Sequence, residues 1–174
     1  MMMSEYPSYD PVAVEPMRQE LREVGFKDLL SAQDVDEQFD QTQGTLLVVL
    51  NSVCGCAAGN ARPGVALALQ NERVPDRLHA IFAGMEKSAV NRFRERMEPM
   101  PPSSPCMVLL KNGEPVSILH RMDIENRSAE QVAGLLVQAF NEHCTAVGPT
   151  IPAEAFEQLS YIRRCGSKVP RFDS

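Results

Sequence analysis

The apolar positions of this chain change period several times, and each change marks an element. Val14, Met17, Leu21 and Val24 recur at helical spacing and stop at Gly25, with Pro16 expected in the first turn. Ser31-Ala32-Gln33-Asp34 reads as a helix cap, after which Val35 and Phe39 share one face of a short helix. Beyond Gly44 the pattern breaks. Thr45-Leu46-Leu47-Val48-Val49-Leu50 is β-branched and apolar without alternation, as in a strand covered on both faces. Residues 57–70 predict a helix carrying Val65, Leu67, Ala68 and Leu69, which Pro63 should kink if it is interior. Residues 78–83 read as a short strand ended by Gly84. Met85, Ala89, Phe93 and Met97 then repeat every four residues, predicting a third long helix that Pro99, Pro101 and Pro102 terminate.

The second half continues in the same way. Residues 106–110 predict a strand, Asn112-Gly113 is a strong short hairpin signal, and residues 115–120 pair back at an edge because Pro115 cannot donate to a ladder. Ser128-Ala129-Glu130-Gln131 is a capping box ahead of Val132, Leu135, Leu136, Ala139 and Phe140, which fall on one helix face. After Cys144 the pattern weakens, and Pro152, Gly166 and Pro170 suggest a loosely ordered extension. The order β-α-β-α-β-β-α, preceded by two helices, predicts an α/β fold. Its first two strands are parallel through a helix and its last two form a hairpin, which is the thioredoxin-like arrangement. The expected division is a domain over residues 1–144 and a C-terminal extension over residues 145–174.

Composition narrows the class. Of 174 residues 44% are apolar, enough for a real core, yet no apolar run approaches the roughly 18 residues of a membrane span. Residues 1–10 show neither the basic nor the apolar region of a signal peptide, so a cytoplasmic protein without a membrane partner is expected. The net charge of −6 is lopsided, with ten acidic against three basic side chains in residues 1–40. That argues against nucleic acid, whose phosphates need clustered Lys and Arg. The basic cluster Arg163, Arg164, Lys168 and Arg171 reads as a solvated tail. Five cysteines, an odd number without an export signal, read as reduced thiols.

Two of those thiols, Cys54 and Cys56, flank Gly55 where the apolar strand ends and a helix begins. Backbone N–H groups are unpaired at such a turn and favour a thiolate. Residues i and i+2 can close a disulfide only if the chain bends, and Gly55 permits the bend. Thiol–disulfide chemistry is therefore the first reading, with Cys54 the more exposed sulfur and Arg62 a cation that could add to the helix start. The rival class is a metal- or Fe–S-binding protein that uses the same two thiolates with Cys106 as a third. No C-x-x-C pair or clustered His completes a zinc pattern. Cys106 leads into Met107-Val108-Leu109-Leu110 and is expected to pack rather than react; Cys144 closes a helix and Cys165 lies in a polar tail. His79 reads as core or edge filler, His120 and His143 lie near element ends without a partnered acid, and Asp123 and Glu125 read as loop charges.

Asn51-Ser52-Val53-Cys54-Gly55-Cys56-Ala57-Ala58-Gly59-Asn60-Ala61-Arg62-Pro63-Gly64 resembles the signature of the bacilliredoxin family. Phe82-Ala83-Gly84 and Pro101-Pro102-Ser103-Ser104-Pro105 agree with it at the expected places, and the likeness runs over roughly residues 10 to 144. The stretch from Ser104 to Glu114 is similar to the cis-proline region of thioredoxin-like folds, which implies a cis Ser104–Pro105 bond beside the dithiol. Cys106 departs from the serine more usual after that proline. The resemblance implies a thioredoxin-like thiol–disulfide oxidoreductase that removes bacillithiol, a low-molecular-weight thiol, from protein mixed disulfides, with weak disulfide isomerase activity. It makes Cys54 the attacking and Cys56 the resolving cysteine, with Gly55, Ser104 and Pro105 against the substrate. It implies S-bacillithiolated client proteins as partners, bacillithiol as co-substrate, and neither a cofactor nor a metal.

Overall fold

The computed structural model describes residues 5–53 and 55–159, without the side chains of Cys56 and Ala58. Seven helices and seven strands follow one another among these residues. They are α1 (Pro11–Arg22), β1 (Lys27–Asp28), α2 (Ala32–Phe39), β2 (Thr45–Asn51), α3 (Cys56–Ala68), β3 (Arg73–Val74), β4 (Arg77–Phe82) and α4 (Lys87–Arg96). The remainder are β5 (Cys106–Lys111), β6 (Glu114–Leu119), α5 (Arg121–Glu125), α6 (Ala129–His143), β7 (Ala146–Val147) and α7 (Ala153–Glu157). None of these helices is long and apolar enough to cross a membrane.

The main sheet has the order β1-β4-β2-β5-β6. The strand β4 runs parallel to β1 and to β2, whereas β5 is antiparallel to β2 and to β6. With helices on both faces this is the thioredoxin-like α/β fold. The central strand β2 is buried at every position, as its unbroken apolar pattern requires. Its residues alternate between two cores. Leu47 and Val49 join α1, α3 and α6 on one face, and Leu46, Val48 and Leu50 join α2 and α4 on the other. The hairpin forms with Asn112 and Gly113 both at positive φ, 51° and 84°, and Pro115 lies on edge strand β6.

Local signals are realised closely. Ser31 and Ser128 each cap their helix in a reciprocal box with Asp34 and Gln131. Some expectations shift. The proline in the first turn of α1 is Pro11, behind the Asp10 cap, and Pro16 lies inside the helix. Pro63 is interior to α3, which continues through it to Ala68. Asp123 belongs to a short helix rather than a loop: its Oδ2 accepts from the His120 N–H at 2.8 Å, closing the start of α5, and Glu125 ends that helix.

Two features were not visible in the hydrophobic pattern. Strand β1, only two residues long, extends the sheet past β4. The segment after Cys144 is docked up to Leu159 instead of being loose: β7 pairs with β3, the Thr150 N–H donates to the Leu69 carbonyl at 3.1 Å, and Phe156 and Leu159 pack on the α3–α6 core. The rest of the predicted extension, with Cys165 and the basic cluster, lies outside the described residues.

His79 is a buried titratable group of the sheet, at 7% exposure on β4. Burial lowers its pKa, and the cations Arg77 and Lys27 add to this, while a hydrogen bond to the Lys27 backbone and the charge of Asp34 oppose it. The folded protein therefore holds His79 neutral where the unfolded chain protonates it. This contribution to stability is complete above the unfolded value of about 6.5 and is lost progressively as pH falls below it. Urea midpoints measured between pH 7.5 and pH 5.5 should fall with pH in the wild type, and fall less in His79→Gln.

Candidate functional site

The ends of three strands meet at one edge of the sheet. Register fixes this: Asn51 at the end of β2 stands beside Phe82 at the end of β4, and Leu50 stands opposite Cys106 at the start of β5. Buried Asn51 ties the first pair together. Its Nδ2 donates to the carbonyls of Val49 and Ile81 at 3.3 and 3.2 Å, and its own carbonyl accepts from the Ala83 N–H at 2.8 Å. Three stretches singled out in the sequence adjoin these strand ends: Cys54-Gly55-Cys56 follows β2, Phe82-Ala83-Gly84 ends β4, and Ser104-Pro105 leads into β5. The Ser104–Pro105 bond is cis.

Cys54 itself lies outside the described residues. Gly55, next to it, is the N-cap of α3 with φ +105° and ψ 163°, a backbone region essentially closed to side-chain-bearing residues. No atom lies within 4 Å of where a Cβ would stand, so the conformation alone demands glycine here. Cys56 opens α3, and no side chain caps that helix start. The N–H groups of a helix's first turn have no intrahelical partner, and together with the positive end of the helix dipole they favour a thiolate at such a start.

A groove of about 380 Å³ lies alongside. Ser52 and Val53 form one wall, Ala83 and Gly84 another, and Ser104 with Arg94 and Arg121 the third. Tyr9 closes it from the N-terminal segment, where the Ser8 N–H donates to the Gly84 carbonyl at 2.6 Å. Gly84 is needed at this approach: φ is +84°, and a Cβ would come within 2.8 Å of the Tyr9 ring. A second groove of about 720 Å³ shares Arg94, Ser104 and Arg121 and extends over Pro101, Pro102 and Met122. The Ser103 hydroxyl accepts from the Arg121 N–H at 3.2 Å, fastening the cis-proline loop to the start of α5.

The cations do not fall where the sequence suggested. Arg62 is 4% exposed, and its Nε donates to Glu20 at 2.7 Å, so its charge is already matched inside the fold. The arginines that face the groove are Arg94 and Arg121, which sequence reasoning missed. Both lie in amphipathic or short helices far from Cys54 in the chain, and only their common presence at one strand end marks them.

Cys106 is fully buried and faces the α2–α4 core, whereas α3 lies on the opposite face of the sheet. Burial pushes its thiol up to about 12, against the smaller opposing effects of the Arg94 charge and a hydrogen bond with Ser103. Cys144 is buried as well, and burial raises its pKa. Neither is a thiolate at neutral pH. Iodoacetamide at pH 7.5 should leave Cys106 unmodified in the folded protein and label it only in denaturant, as peptide mass mapping would show. Cys106→Ser should retain near-wild-type turnover. The rival metal reading called on Cys106 as third ligand, a role its place in the apolar core does not suit. Among the described residues no three of His, Cys, Asp and Glu gather as a metal site. His79, His120 and His143 stand apart, on β4, at the start of α5 and at the end of α6.

A C-G-C sequence between the end of β2 and the start of α3, with a cis-proline ahead of the neighbouring β5, defines a thioredoxin-like thiol–disulfide protein. The family comparison agrees on the class: residues 9–144 match the Disulphide isomerase family. Bacilliredoxin BH1716 of Halalkalibacterium halodurans is 47% identical over 143 residues, covering 82% of this chain and 99% of the relative. Bacilliredoxin ABC2045 of Shouchella clausii is 46% identical over 143 residues, with the same coverage of 82% and 99%. A bacilliredoxin of Salinibacter ruber is 41% identical over 168 residues, spanning 95% of this chain and 98% of its own. The chain belongs to the bacilliredoxin family, and its role is that of an oxidoreductase acting by thiol–disulfide exchange.

Proposed function

We propose that this protein removes bacillithiol from mixed disulfides with cytoplasmic proteins, with Cys54 as the nucleophile. The supporting observation is a C-G-C sequence leading into a helix whose start has no side-chain cap, with a small groove at the preceding Ser52 and Val53, in a chain 47% identical to a protein named as a bacilliredoxin. The Cys54 thiolate attacks the bacillithiol sulfur of the mixed disulfide. The client sulfur leaves as a thiolate and takes up a proton, and the adduct passes to Cys54. Cys56, as thiolate, then attacks the Cys54 sulfur and expels bacillithiol, leaving a Cys54–Cys56 disulfide. A second bacillithiol can instead attack the adduct and leave as the bacillithiol disulfide. The Cys54–Cys56 disulfide needs two electrons from an external thiol or dithiol to return to the reduced state. Its ring is shorter than that of a C-x-x-C pair and so is readily reduced. The same exchange on client disulfides gives weak isomerase activity. Gly55 supplies the bend, and Ser104 and Pro105 offer their backbone to the bound disulfide. No cofactor enters these steps.

The test is direct. A client carrying one bacillithiol adduct is mixed with the reduced protein, and both are followed by intact mass. The adduct mass should leave the client and appear on this protein or as bacillithiol disulfide. A protein that leaves the adduct in place, or that purifies with stoichiometric zinc or iron, would overturn the proposal.

A further inference from the structure

Arg94 stands out among the arginines. Arg18, Arg22, Arg62, Arg92, Arg96 and Arg121 each pair with a carboxylate. Arg73, Arg77 and Arg127 donate to carbonyl groups. Arg94, alone among the described arginines, has no hydrogen bond or ion pair from its guanidinium, and its buried Nε is without a partner. Solvent does not reach that nitrogen, so the usual fate of a surface charge on a late helical turn does not account for it. A buried donor left unmade is costly; Arg62 Nη1 is also buried without a partner, but Arg62 keeps the Glu20 carboxylate, whereas the Arg94 guanidinium has no anion among the described residues. The chain as a whole is acidic, at −6, and yet this cation is left unmatched.

The place of the guanidinium says what kind of acceptor. Arg94, Ser104 and Arg121 are common to both grooves, and the smaller groove reaches Ser52 and Val53, the residues just before Cys54. Arg121 holds Glu125 only at 3.4 Å on the surface, and can turn to an incoming anion. Asp123, a carboxylate in the wall of the larger groove, accepts the His120 N–H through Oδ2. A volume of about 380 Å³ suits a small molecule rather than a protein surface. Planar guanidinium groups match carboxylates and phosphates in bidentate pairs, and the acid and ester forms of the probe below test the first of these.

We infer that Arg94, with Arg121 beside it, forms a carboxylate-binding subsite that holds the anionic end of the low-molecular-weight thiol while its sulfur lies at Cys54. This rests on the function proposed above and adds the residues that select the adduct. Arg94 is a binding residue here and takes no part in the exchange of sulfurs. The subsite would favour adducts of acidic thiols over uncharged ones on the same client.

The experiment uses a probe that cannot react: S-methylated bacillithiol, titrated calorimetrically into the reduced full-length protein. The same molecule with its carboxylates esterified is the control. The acid should bind wild type about tenfold or more tightly than the ester. Arg94→Gln should erase that preference, Arg121→Gln should reduce it, and salt should weaken acid binding to the wild type. Equal affinities of acid and ester for the wild type, an Arg94→Gln variant that keeps the preference, or no binding of the acid at millimolar concentration would each overturn the subsite. So would an acidic peptide binding at Arg94 where the small thiol does not, since the carboxylate would then belong to the client. Turnover of a bacillithiolated client separates the two ideas. Arg94-dependent binding without turnover strikes the proposed reaction and leaves the subsite; turnover with Arg94-independent binding does the reverse.

Discussion

Cys54→Ser is expected to lower turnover of a bacillithiolated client by about a thousandfold or more, because a serine hydroxyl at neutral pH is not ionised and forms no mixed disulfide. Cys56→Ser should behave differently. It keeps the nucleophile, so the first transfer proceeds, and the variant should accumulate as a stable adduct with one bacillithiol attached. Its turnover then depends on free bacillithiol to release that group. Intact mass after mixing each variant with bacillithiol disulfide separates the cases: adduct on Cys56→Ser, none on Cys54→Ser. The reverse pattern would exchange the roles of the two cysteines. Adduct on both at equal rates would mean that neither position has the favoured thiolate.

Glu86→Ala is expected to destabilise the fold by about 3–5 kcal/mol, the usual cost of stranding one partner of a buried ion pair. Glu86 lies just ahead of α4, and its side chain is 6% exposed. It takes both terminal nitrogens of Arg18 at 3.1 and 2.5 Å, and accepts the Phe82 N–H at 2.8 Å. Arg18 in turn lies over the Phe82 ring, 4.9 Å from its centroid; Asp28 pairs with it at 3.5 Å, and the charge of Glu15 also acts on it. Removing Glu86 therefore leaves a guanidinium of 10% exposure without its hydrogen-bonded anion and frees the turn before Gly84. Urea unfolding measures the loss. Arg18→Met, which removes the charge and fills the space, should cost clearly less. A Glu86→Ala loss below about 1 kcal/mol would show that Arg18 escapes to water. Because Ala83 and Gly84, just after Phe82, wall the groove, KM for the bacillithiolated client should rise in Glu86→Ala more than kcat falls.

Much of this protein is local information, and that part is legible in the chain. Seven consecutive buried residues in β2 follow from an apolar run without alternation. Two capping boxes, at Ser31 and Ser128, fix helix starts through side chains that reach only three residues. Asn112-Gly113 sets a hairpin because both residues tolerate positive φ. Cys54 and Cys56 across Gly55 leave both thiol–disulfide and metal readings open, and the surrounding signature carries the family.

What the tertiary structure decided is nonlocal. Strand β1 is too short to show any period, and forms because β4 has a free edge. The segment from Ala146 to Leu159 is anchored by β3 and the α3–α6 core, through contacts more than seventy residues apart in sequence for Thr150 and Leu69. Cys106 could be assigned to one face of the sheet only once its register with Leu50 was known, and that face made it an inert core thiol. Arg62 and Arg94 look alike as sequence. Folding gives the first a carboxylate, Glu20, and leaves the second without a partner at the groove beside Ser52. Periodicity and capping are written within a turn or two of the chain; which charges are matched and which remain for a ligand depends on strand order, and no local pattern encodes it.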